Sequence, residues 1–307
     1  MNEEFTHRVE VVVNNISQFI VASPEVIRFS LLGLLCQGHV LLDDHPGVGK
    51  TLLAKSLAQS LKAKFNRIQF TPDLLPTDIT GSSIYNQNDG DFKFMPGPIF
   101  ANIVLADEIN RSGPRTQSAL LEAMGERFIT FDGITHPLPS PFFIIATRNL
   151  SEMHGVFPLP QSQLDRFLFS FGIGYPSQEE EVQILERHEH GEPELEPVLT
   201  SEDITLMQKE ILKVKVARPV KEYIAGIVAE TRVSTETING VSPRGAVSLQ
   251  KAAQGRAAME SRDFVTPDDI KAVAPIVLKH RIVVRSSEPD YASKYIDNLL
   301  ATVPVPF

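Results

Sequence analysis

The strongest chemical signal in the chain lies between Asp44 and Thr51, where glycines, a lysine and a threonine are spaced as in a phosphate-binding loop. The loop follows an apolar strand pattern at 39–43 and precedes a helical pattern rich in alanine and leucine. In such a unit the amides of the loop and of the helix N-terminus point at one anionic group. Lys50 would then reach the β- and γ-phosphates of a nucleotide, and the Thr51 hydroxyl would ligate Mg²⁺.

The loop departs from the strict phosphate-loop pattern at one position, where that pattern has glycine and this chain has Asp44. The second half of the pattern is intact, so we predict a nucleotide-binding loop with a variant entrance. A chance glycine turn is the alternative. The predicted nucleotide contacts in this loop are Pro46, Gly47, Val48, Gly49, Lys50, Thr51 and Leu52.

A pair of carboxylates, Asp107 and Glu108, closes a second apolar strand pattern at 102–107. Hydrolysis of a nucleoside triphosphate needs an acidic group behind the metal and a base for the attacking water. We predict that Asp107 ligates the metal together with Thr51, and that Glu108 is the general base. A solvated acidic strand end is the alternative.

Three further polar residues could contact the phosphates. Asn149 follows the strand pattern at 142–147 and could orient the attacking water, although asparagine after a strand also serves turns. Arg166, just before the pattern at 167–173, is a candidate arginine finger because its planar fork suits developing phosphoryl charge; a helix-end salt bridge is the alternative. Arg244 lies in the first turn of a predicted helix, where a nearby anion such as ATP would offset the unfavourable macrodipole.

The elements that must hold these residues alternate between short apolar runs and helical patterns over residues 1–174. The predicted strands are 39–43, 65–70, 102–107, 142–147 and 167–173. The runs at 102–107 and 142–147 barely alternate, as in parallel strands that are covered on both faces. We therefore predict an α/β domain, preceded by a short N-terminal helix, with helices on both faces of a parallel sheet.

After about residue 175 the strand signals stop and helix starts dominate. The predicted capping residues are Ser177, Ser201, Ser242 and Thr266. They indicate an all-α domain of four to five helices over residues 175–307. In the first domain, Asp-Gly pairs at 89–90 and 132–133 predict two inserted β-hairpins, for which ordinary surface connections are the alternative.

The composition narrows the class of protein. The 307 residues carry a net charge of −9 and a pI near 5.4, which argues against a general nucleic-acid or membrane-surface binder. The apolar stretches are too short to span a bilayer and the acidic N-terminus lacks the start of a signal peptide, so we expect a cytoplasmic protein without membrane insertion. The single cysteine, Cys36, sits in an apolar helical pattern and is expected in the core.

The motifs, in this order, resemble those of an AAA+ ATPase, and longer strings resemble the MoxR family. The strings lie at 67–81, 97–100, 106–111, 117–124 and 159–167, the last ending in Leu-Asp-Arg-Phe. The resemblance implies a P-loop AAA+ core followed by an all-α lid. It implies that the two hairpins are the helix-2 insert and the pre-sensor-1 hairpin, which in such proteins face the ring pore or a partner.

Site roles also follow from the resemblance. Lys50 and Thr51 would take the Walker A roles, and Asp107 and Glu108 the Walker B roles. Asn149 would be sensor 1, Arg166 the finger that acts on the neighbouring subunit's ATP, and Arg244 sensor 2. Ile20 and Val21 would contact the adenine, although Ala22 replaces the usual glycine of that motif. The family's Gln-Asn-Pro after the sensor strand is Arg148-Asn149-Leu150 here, which keeps the sensor amide and changes its neighbours.

The resemblance further implies a homo-oligomeric ring, expected to be a hexamer, with ATP and Mg²⁺ as its cofactors. Proteins of this kind act as chaperones that remodel, mature or activate other protein complexes, often with a partner carrying a von Willebrand factor A domain. Two alternatives stay open: an AAA+ motor acting on nucleic acid, which the acidic composition disfavours, and a nucleotide-dependent scaffold without significant turnover.

Overall fold

A computed structural model describes residues 3–86, 90–149, 155–190, 195–288 and 290–305. The elements of its first part are, in chain order, α1 (Glu3–Ser17), α2 (Pro24–Leu35), β1 (Val40–Asp43), α3 (Lys50–Ser60), β2 (Phe65–Gln69), α4 (Pro76–Thr80), β3 (Gly81–Asn86), β4 (Asp91–Pro96), β5 (Ile103–Asp107), α5 (Pro114–Glu126), β6 (Phe128–Phe131), β7 (Ile134–Pro137), β8 (Phe143–Arg148), α6 (Gln161–Leu164) and β9 (Phe169–Phe171). The second part contains α7 (Gln178–His190), α8 (Ser201–Ile211), α9 (Arg218–Val233), β10 (Thr237–Asn239), α10 (Pro243–Met259), α11 (Pro267–Leu278), β11 (Val283–Val284) and α12 (Tyr291–Thr302).

Five parallel strands form the central sheet in the order β2-β5-β8-β1-β9, which confirms the predicted α/β class. The interior strands β5 and β8 are buried except at their last residues, which accounts for their nearly unbroken apolar sequence. Since the strands are parallel, their carboxyl ends lie along one edge of the sheet. The polar residues that end β1, β5 and β8 are thereby brought together.

Side chains alternate between the two faces of the sheet and divide its core into two buried apolar clusters. Leu42 belongs to the cluster that α1, α2 and α3 cover. The adjacent Leu41 belongs to the cluster that α4 and α5 cover. Helices therefore lie on both faces of the sheet, as predicted. The first cluster continues into the helices of the second part, through residues such as Ile224 and Ile270.

Both predicted hairpins form, as the antiparallel pairs β3–β4 and β6–β7. The turn of the second has positive φ at Asp132 (47°) and Gly133 (78°), the backbone that favours an Asp-Gly pair. In the first hairpin Asp89 lies outside the described residues. The two hairpins pack together through Phe94, whose ring stacks on His136 with centroids 4.2 Å apart.

The second part differs from its prediction in two ways. It contains six helices among the described residues rather than four to five, together with a short antiparallel pair, β10–β11. Strands of two or three residues, such as β10 and β11, are too short to show an alternating pattern in the sequence. The helix start at Ser201 was also wrong by one residue, because Thr200 is the N-cap and shares a capping box with Asp203. No helix in the described residues is long and apolar enough to cross a membrane.

The prediction for Cys36 is confirmed, since this residue is 5% exposed at the end of α2. Its thiol donates to the carbonyl of Lys251 at 3.3 Å, and burial raises the pKa of the thiol to about 12. A thiol so buried and protonated is a core side chain rather than a nucleophile.

We expect Cys36 in the folded protein to react with an aromatic disulfide reagent at pH 8 at least about a hundredfold more slowly than in the unfolded chain, because only the thiolate reacts. Absorbance of the released thiolate measures both rates, and Cys36→Ser provides the blank. Rapid stoichiometric labelling of the folded protein would contradict the buried assignment.

Candidate functional site

The loop between β1 and α3 is a backbone cradle around open space. Gly47 and Gly49 have φ values of +84° and +92°, which glycine adopts without strain. A Cβ atom built on either glycine would meet no heavy atom within 4 Å. Gly49 is also the N-cap of α3, and no side chain of the described residues caps this helix. Its first amides are therefore available to an anion in the cradle.

Asp44 explains the departure from the glycine pattern. Its side chain is buried and accepts hydrogen bonds from three backbone amides, those of His45 (2.8 Å), Ile173 (2.6 Å) and Gly174 (2.7 Å). The last two amides belong to the segment that leaves β9. A glycine at position 44 could make none of these bonds. The carboxylate thus joins the loop to the segment that leads into α7.

Lys50 points along the loop toward the acidic strand ends. Its ammonium donates to the carbonyl of Asp44 at 2.6 Å. Burial lowers the pKa of Lys50, while the charges of Asp44 and Asp107 oppose that shift. The ammonium therefore lies within electrostatic reach of the carboxylate that ends β5, as the predicted roles of these residues require.

Asp107 and Glu108 share one partner, Thr147 on the neighbouring strand β8. The Thr147 hydroxyl donates to Asp107 Oδ1 at 2.6 Å and accepts from the backbone amide of Glu108 at 2.8 Å. Glu108 has a φ of +57°, so the chain turns sharply directly after β5. This turn separates the directions of two adjacent carboxylates, which allows them to have different roles.

Two residues of β2 complete this cluster, and the sequence analysis assigned them no role. Arg67 donates to Asp107 Oδ2 at 2.7 Å and to the side-chain oxygen of Gln69 at 2.6 Å. The amide of Gln69 in turn donates to Glu108 at 3.0 Å. The spacing i, i+2 places both side chains on one face of the strand, and Gln69 pairs in register with Asp107. This alternation of side chains along β2 is visible in the sequence and could have indicated that Arg67 and Gln69 face the same neighbours.

Arg148, which stands in place of the family's glutamine, pairs across the sheet with Asp43. Its guanidinium makes two hydrogen bonds of 2.7 Å to the Asp43 carboxylate, which also accepts from the Ser170 hydroxyl at 2.9 Å. The ends of β8, β1 and β9 are thereby joined. Asn149 follows directly and is buried, and its carbonyl accepts from the amide of Asn110 at 3.4 Å. Leu150 lies outside the described residues.

A cavity of about 480 Å³ opens beside the loop and is large enough for a nucleoside. Its lining includes Gly47 to Gly49 and Leu52, together with Ile20 and Val21, which were predicted to contact adenine. Several other lining residues were not predicted, among them Tyr175, Ile184 and Arg187. Ile184 and Arg187 are three apart and lie on one face of α7. Their spacing in the sequence could have indicated that both side chains face the same cavity.

The two arginines predicted to act on phosphate lie elsewhere. Arg166 and Arg244 line a second cavity, of about 280 Å³, together with Arg127 and Lys251. No described residue lines both cavities. The Arg166 guanidinium donates to the Leu121 carbonyl at 2.7 Å, and in the described part of the chain it forms no ion pair. The described residues thus give no support to the salt-bridge alternative for Arg166, and neither arginine lines the cavity beside its own P-loop.

The chemistry of the first site fits ATP and Mg²⁺. Thr51 and Asp107 offer the hard oxygen donors that this ion prefers. No group of three or more His, Cys, Asp or Glu side chains in the described ranges could hold a metal unaided. Mg²⁺ commonly binds through one or two carboxylates plus substrate phosphates. The open cradle at Gly47 and Gly49 provides space for such phosphates.

Comparisons with known proteins agree with this geometry. Residues 39–169 match the ATPase family associated with various cellular activities (AAA), and residues 229–297 match the AAA lid domain. The chain is 48% identical to the uncharacterized protein YeaC of Bacillus subtilis, covering 96% of this chain and 93% of that one. It is 41% identical to Chaperone MoxR1 of Mycobacterium tuberculosis, over 91% of this chain and 76% of that protein. A crystal structure from Cytophaga hutchinsonii superposes with a TM-score of 0.91 at 34% identity, covering 99% and 96%.

Replacing Asp44 with glycine would restore the common loop pattern, yet we expect it to lower the free energy of unfolding by about 1–3 kcal/mol, since three amides lose a charged acceptor. Urea denaturation of the two proteins measures the difference. Asp44→Asn keeps an oxygen acceptor and should lose less. Equal or greater stability of Asp44→Gly would contradict a structural role for this carboxylate.

Proposed function

Because this chain belongs to the MoxR family of AAA ATPases, we propose that it hydrolyses Mg-ATP and uses the energy to remodel, mature or activate partner protein complexes. The observation that carries the proposal is the convergence of the Gly47–Thr51 cradle, Asp107 and Glu108 at one edge of the sheet. A P-loop ATPase needs these parts together, and each has the required chemistry. The chaperone part is supported by the similarity to MoxR1.

In the proposed complex the triphosphate occupies the cradle, where loop amides and the Lys50 ammonium offset its charge. The nucleoside occupies the adjacent cavity, with Ile20 and Val21 against the adenine. Thr51 and Asp107 would hold the magnesium. When bound, this ion supplies neutralisation of the charge that develops on the phosphate oxygens.

Glu108 takes the proton from the attacking water in this proposal. Its backbone amide is fixed by Thr147, and its carboxylate accepts from Gln69 and from Arg111 at 2.9 Å. These donors hold the carboxylate near the strand ends, where hydrolysis would occur. Asn149 is proposed to orient the water or the γ-phosphate, because it directly follows the strand that carries Thr147.

We assign the remaining positive charge to a neighbouring copy of the chain. Arg166 and Arg244 line a cavity separate from the P-loop cavity, so an arginine that completes phosphoryl transfer would come from another subunit. An arginine supplied in trans can raise the rate by about 10³–10⁵. Because Arg166 and Arg244 line one cavity, both would act on the ATP of the same neighbouring subunit, with Arg166 as the finger. Hydrolysis would then depend on assembly into a ring, proposed to be a hexamer.

The two hairpins are the proposed contact surface for clients. They expose large apolar side chains, including Tyr85 at 52%, Phe92 at 67% and Ile134 at 62%. Their packing through Phe94 and His136 joins them into one surface. Exposed aromatic groups on an ordered support suit transient binding of protein. The proposed partner carries a von Willebrand factor A domain, and the proposed location is the cytoplasm. We also propose that the core ends and the lid begins at residue 174.

Glu108→Gln should bind ATP with unchanged affinity but hydrolyse it about 10²–10⁴-fold more slowly, since the amide cannot accept the proton. Phosphate release and binding of a fluorescent ATP analogue measure the two properties. The exposed acid Glu122 on α5 provides a matched control, because Glu122→Gln should leave both unchanged. Near-normal turnover by Glu108→Gln would refute the general-base role.

Specific activity should rise with protein concentration, and Arg166→Ala should bind ATP yet lose about 10³-fold or more in kcat. Mixing Arg166→Ala with Lys50→Ala subunits should restore activity, because a subunit with an intact P-loop then receives an arginine from its neighbour. Co-purification of differently tagged subunits establishes that mixed assemblies form.

Arg115→Ala, at the exposed start of α5, is the control and should show the same specific activity as the unchanged protein at each concentration. A flat specific activity, combined with no restoration in verified mixed assemblies, would overturn the in-trans assignment.

A further inference from the structure

One carboxylate connects the proposed finger to the helical lid. Asp165 directly precedes Arg166, and each of its carboxylate oxygens accepts a hydrogen bond from the lid. The Ser242 hydroxyl donates to Oδ2 at 2.7 Å, and Arg281 Nε donates to Oδ1 at 2.8 Å. The position of Asp165 is therefore set by two residues from different lid segments.

Arg281 is held on both sides of the boundary between core and lid. Its side chain is 1% exposed and donates to the core carbonyls of Leu168 (3.1 Å) and Phe167. On the lid side it donates to the hydroxyl of Ser248 at 3.2 Å and to the carbonyl of Val277. Burial lowers the pKa of Arg281 to about 10, which leaves it charged at neutral pH. Its guanidinium is thus an anchor for the residues around Arg166.

The same contacts determine where α10 begins, and with it Arg244. Ser242 is the N-cap of α10, and its hydroxyl oxygen accepts from the Gly245 amide at 3.1 Å. A Cβ on Gly245 would lie 3.0 Å from the Arg281 side chain, so the first turn of α10 rests directly on that arginine. Arg244 stands in this turn.

We propose that Ser242 and Arg281 are positioning residues which, through Asp165, hold Arg166 and Arg244 at a fixed separation for one phosphoryl group of the neighbouring subunit's ATP. The proposal rests on the proposed function, in which these arginines act in trans. It adds that the lid, which carries Ser242, Arg244 and Arg281, sets the alignment of a finger that belongs to the core.

Removing the Ser242 hydroxyl tests this alignment with a small change. Ser242→Ala should bind ATP normally, because its own P-loop cavity is intact, but kcat should fall by up to about a hundredfold, the effect of misplacing a reacting group by roughly 1 Å. Ser242→Thr keeps the hydroxyl and should restore kcat. Mixing Ser242→Ala with Lys50→Ala subunits should also restore turnover, since the latter supply well-aligned arginines.

Thr266 offers a matched control. It is the N-cap of the adjacent lid helix α11, precedes a proline as Ser242 does, and donates its hydroxyl to a carboxylate, that of Asp269, at 2.9 Å. Thr266→Val removes this hydroxyl without touching Asp165 and should keep full kcat. If Ser242→Ala fails to assemble, Asp165→Asn, which weakens the ion pair with Arg281, is compared in the same assays.

Three outcomes decide the matter. Equal kcat for Ser242→Ala and Thr266→Val overturns the positioning role. A loss of kcat in Ser242→Ala that mixing does not restore, while mixing does restore Arg166→Ala, also overturns it, because the defect then lies outside the trans-acting arginines. Failure to restore Arg166→Ala in verified mixed assemblies, together with a flat specific activity, refutes the in-trans part of the proposed function, which separates the two failures.

Discussion

The site depends on the last residues of β8, which hold the carboxylates that end the strands on either side. Thr147 donates to Asp107 of β5 at 2.6 Å, and Arg148 makes two bonds of 2.7 Å to Asp43 of β1. Both contacts require β8 to lie between β5 and β1 in parallel register. Without this order the acids would repel one another, and the ends of the strands would have no shared geometry. The order of the strands in the sheet therefore determines which charged groups lie next to one another at its edge.

The parts of the site that are local in sequence could be predicted. The cradle, the strand that ends in Asp107 and Glu108, and the five parallel strands each rest on a pattern within a few residues. Arg67 and Gln69 escaped because their role comes from pairing β2 with β5, which no short motif encodes. The short pair β10–β11 and the start of α8 escaped for a related reason, since two or three residues carry no usable period.

The departures at Asp44 and Arg148 show that a motif can change in sequence while the loop and strand ends keep the same arrangement. In the sequence, Asp44 replaces a glycine of the general phosphate-loop pattern, and Arg148 replaces the glutamine of the family's Gln-Asn-Pro. In the structure each supplies a contact: Asp44 accepts from the segment after β9, and Arg148 neutralises the end of β1. A carboxylate at the loop entrance is tolerated because three backbone amides donate hydrogen bonds to it. The open space at Gly47 and Gly49 is left unchanged.

Two carboxylates, Asp44 and Asp165, hold segments that lie beside different cavities. Asp44 holds the amides of Ile173 and Gly174 just ahead of α7, which lines the P-loop cavity. Asp165 holds Ser242 and Arg281 beside the cavity of the two arginines. The two segments are packed differently: side chains of α7 such as Val182 and Leu185 are exposed, whereas Leu249 and Ala252 of α10 belong to the buried apolar core. The contact at Asp44 therefore orients a surface helix beside the P-loop cavity, while the contact at Asp165 fixes the start of a packed helix beside the second cavity.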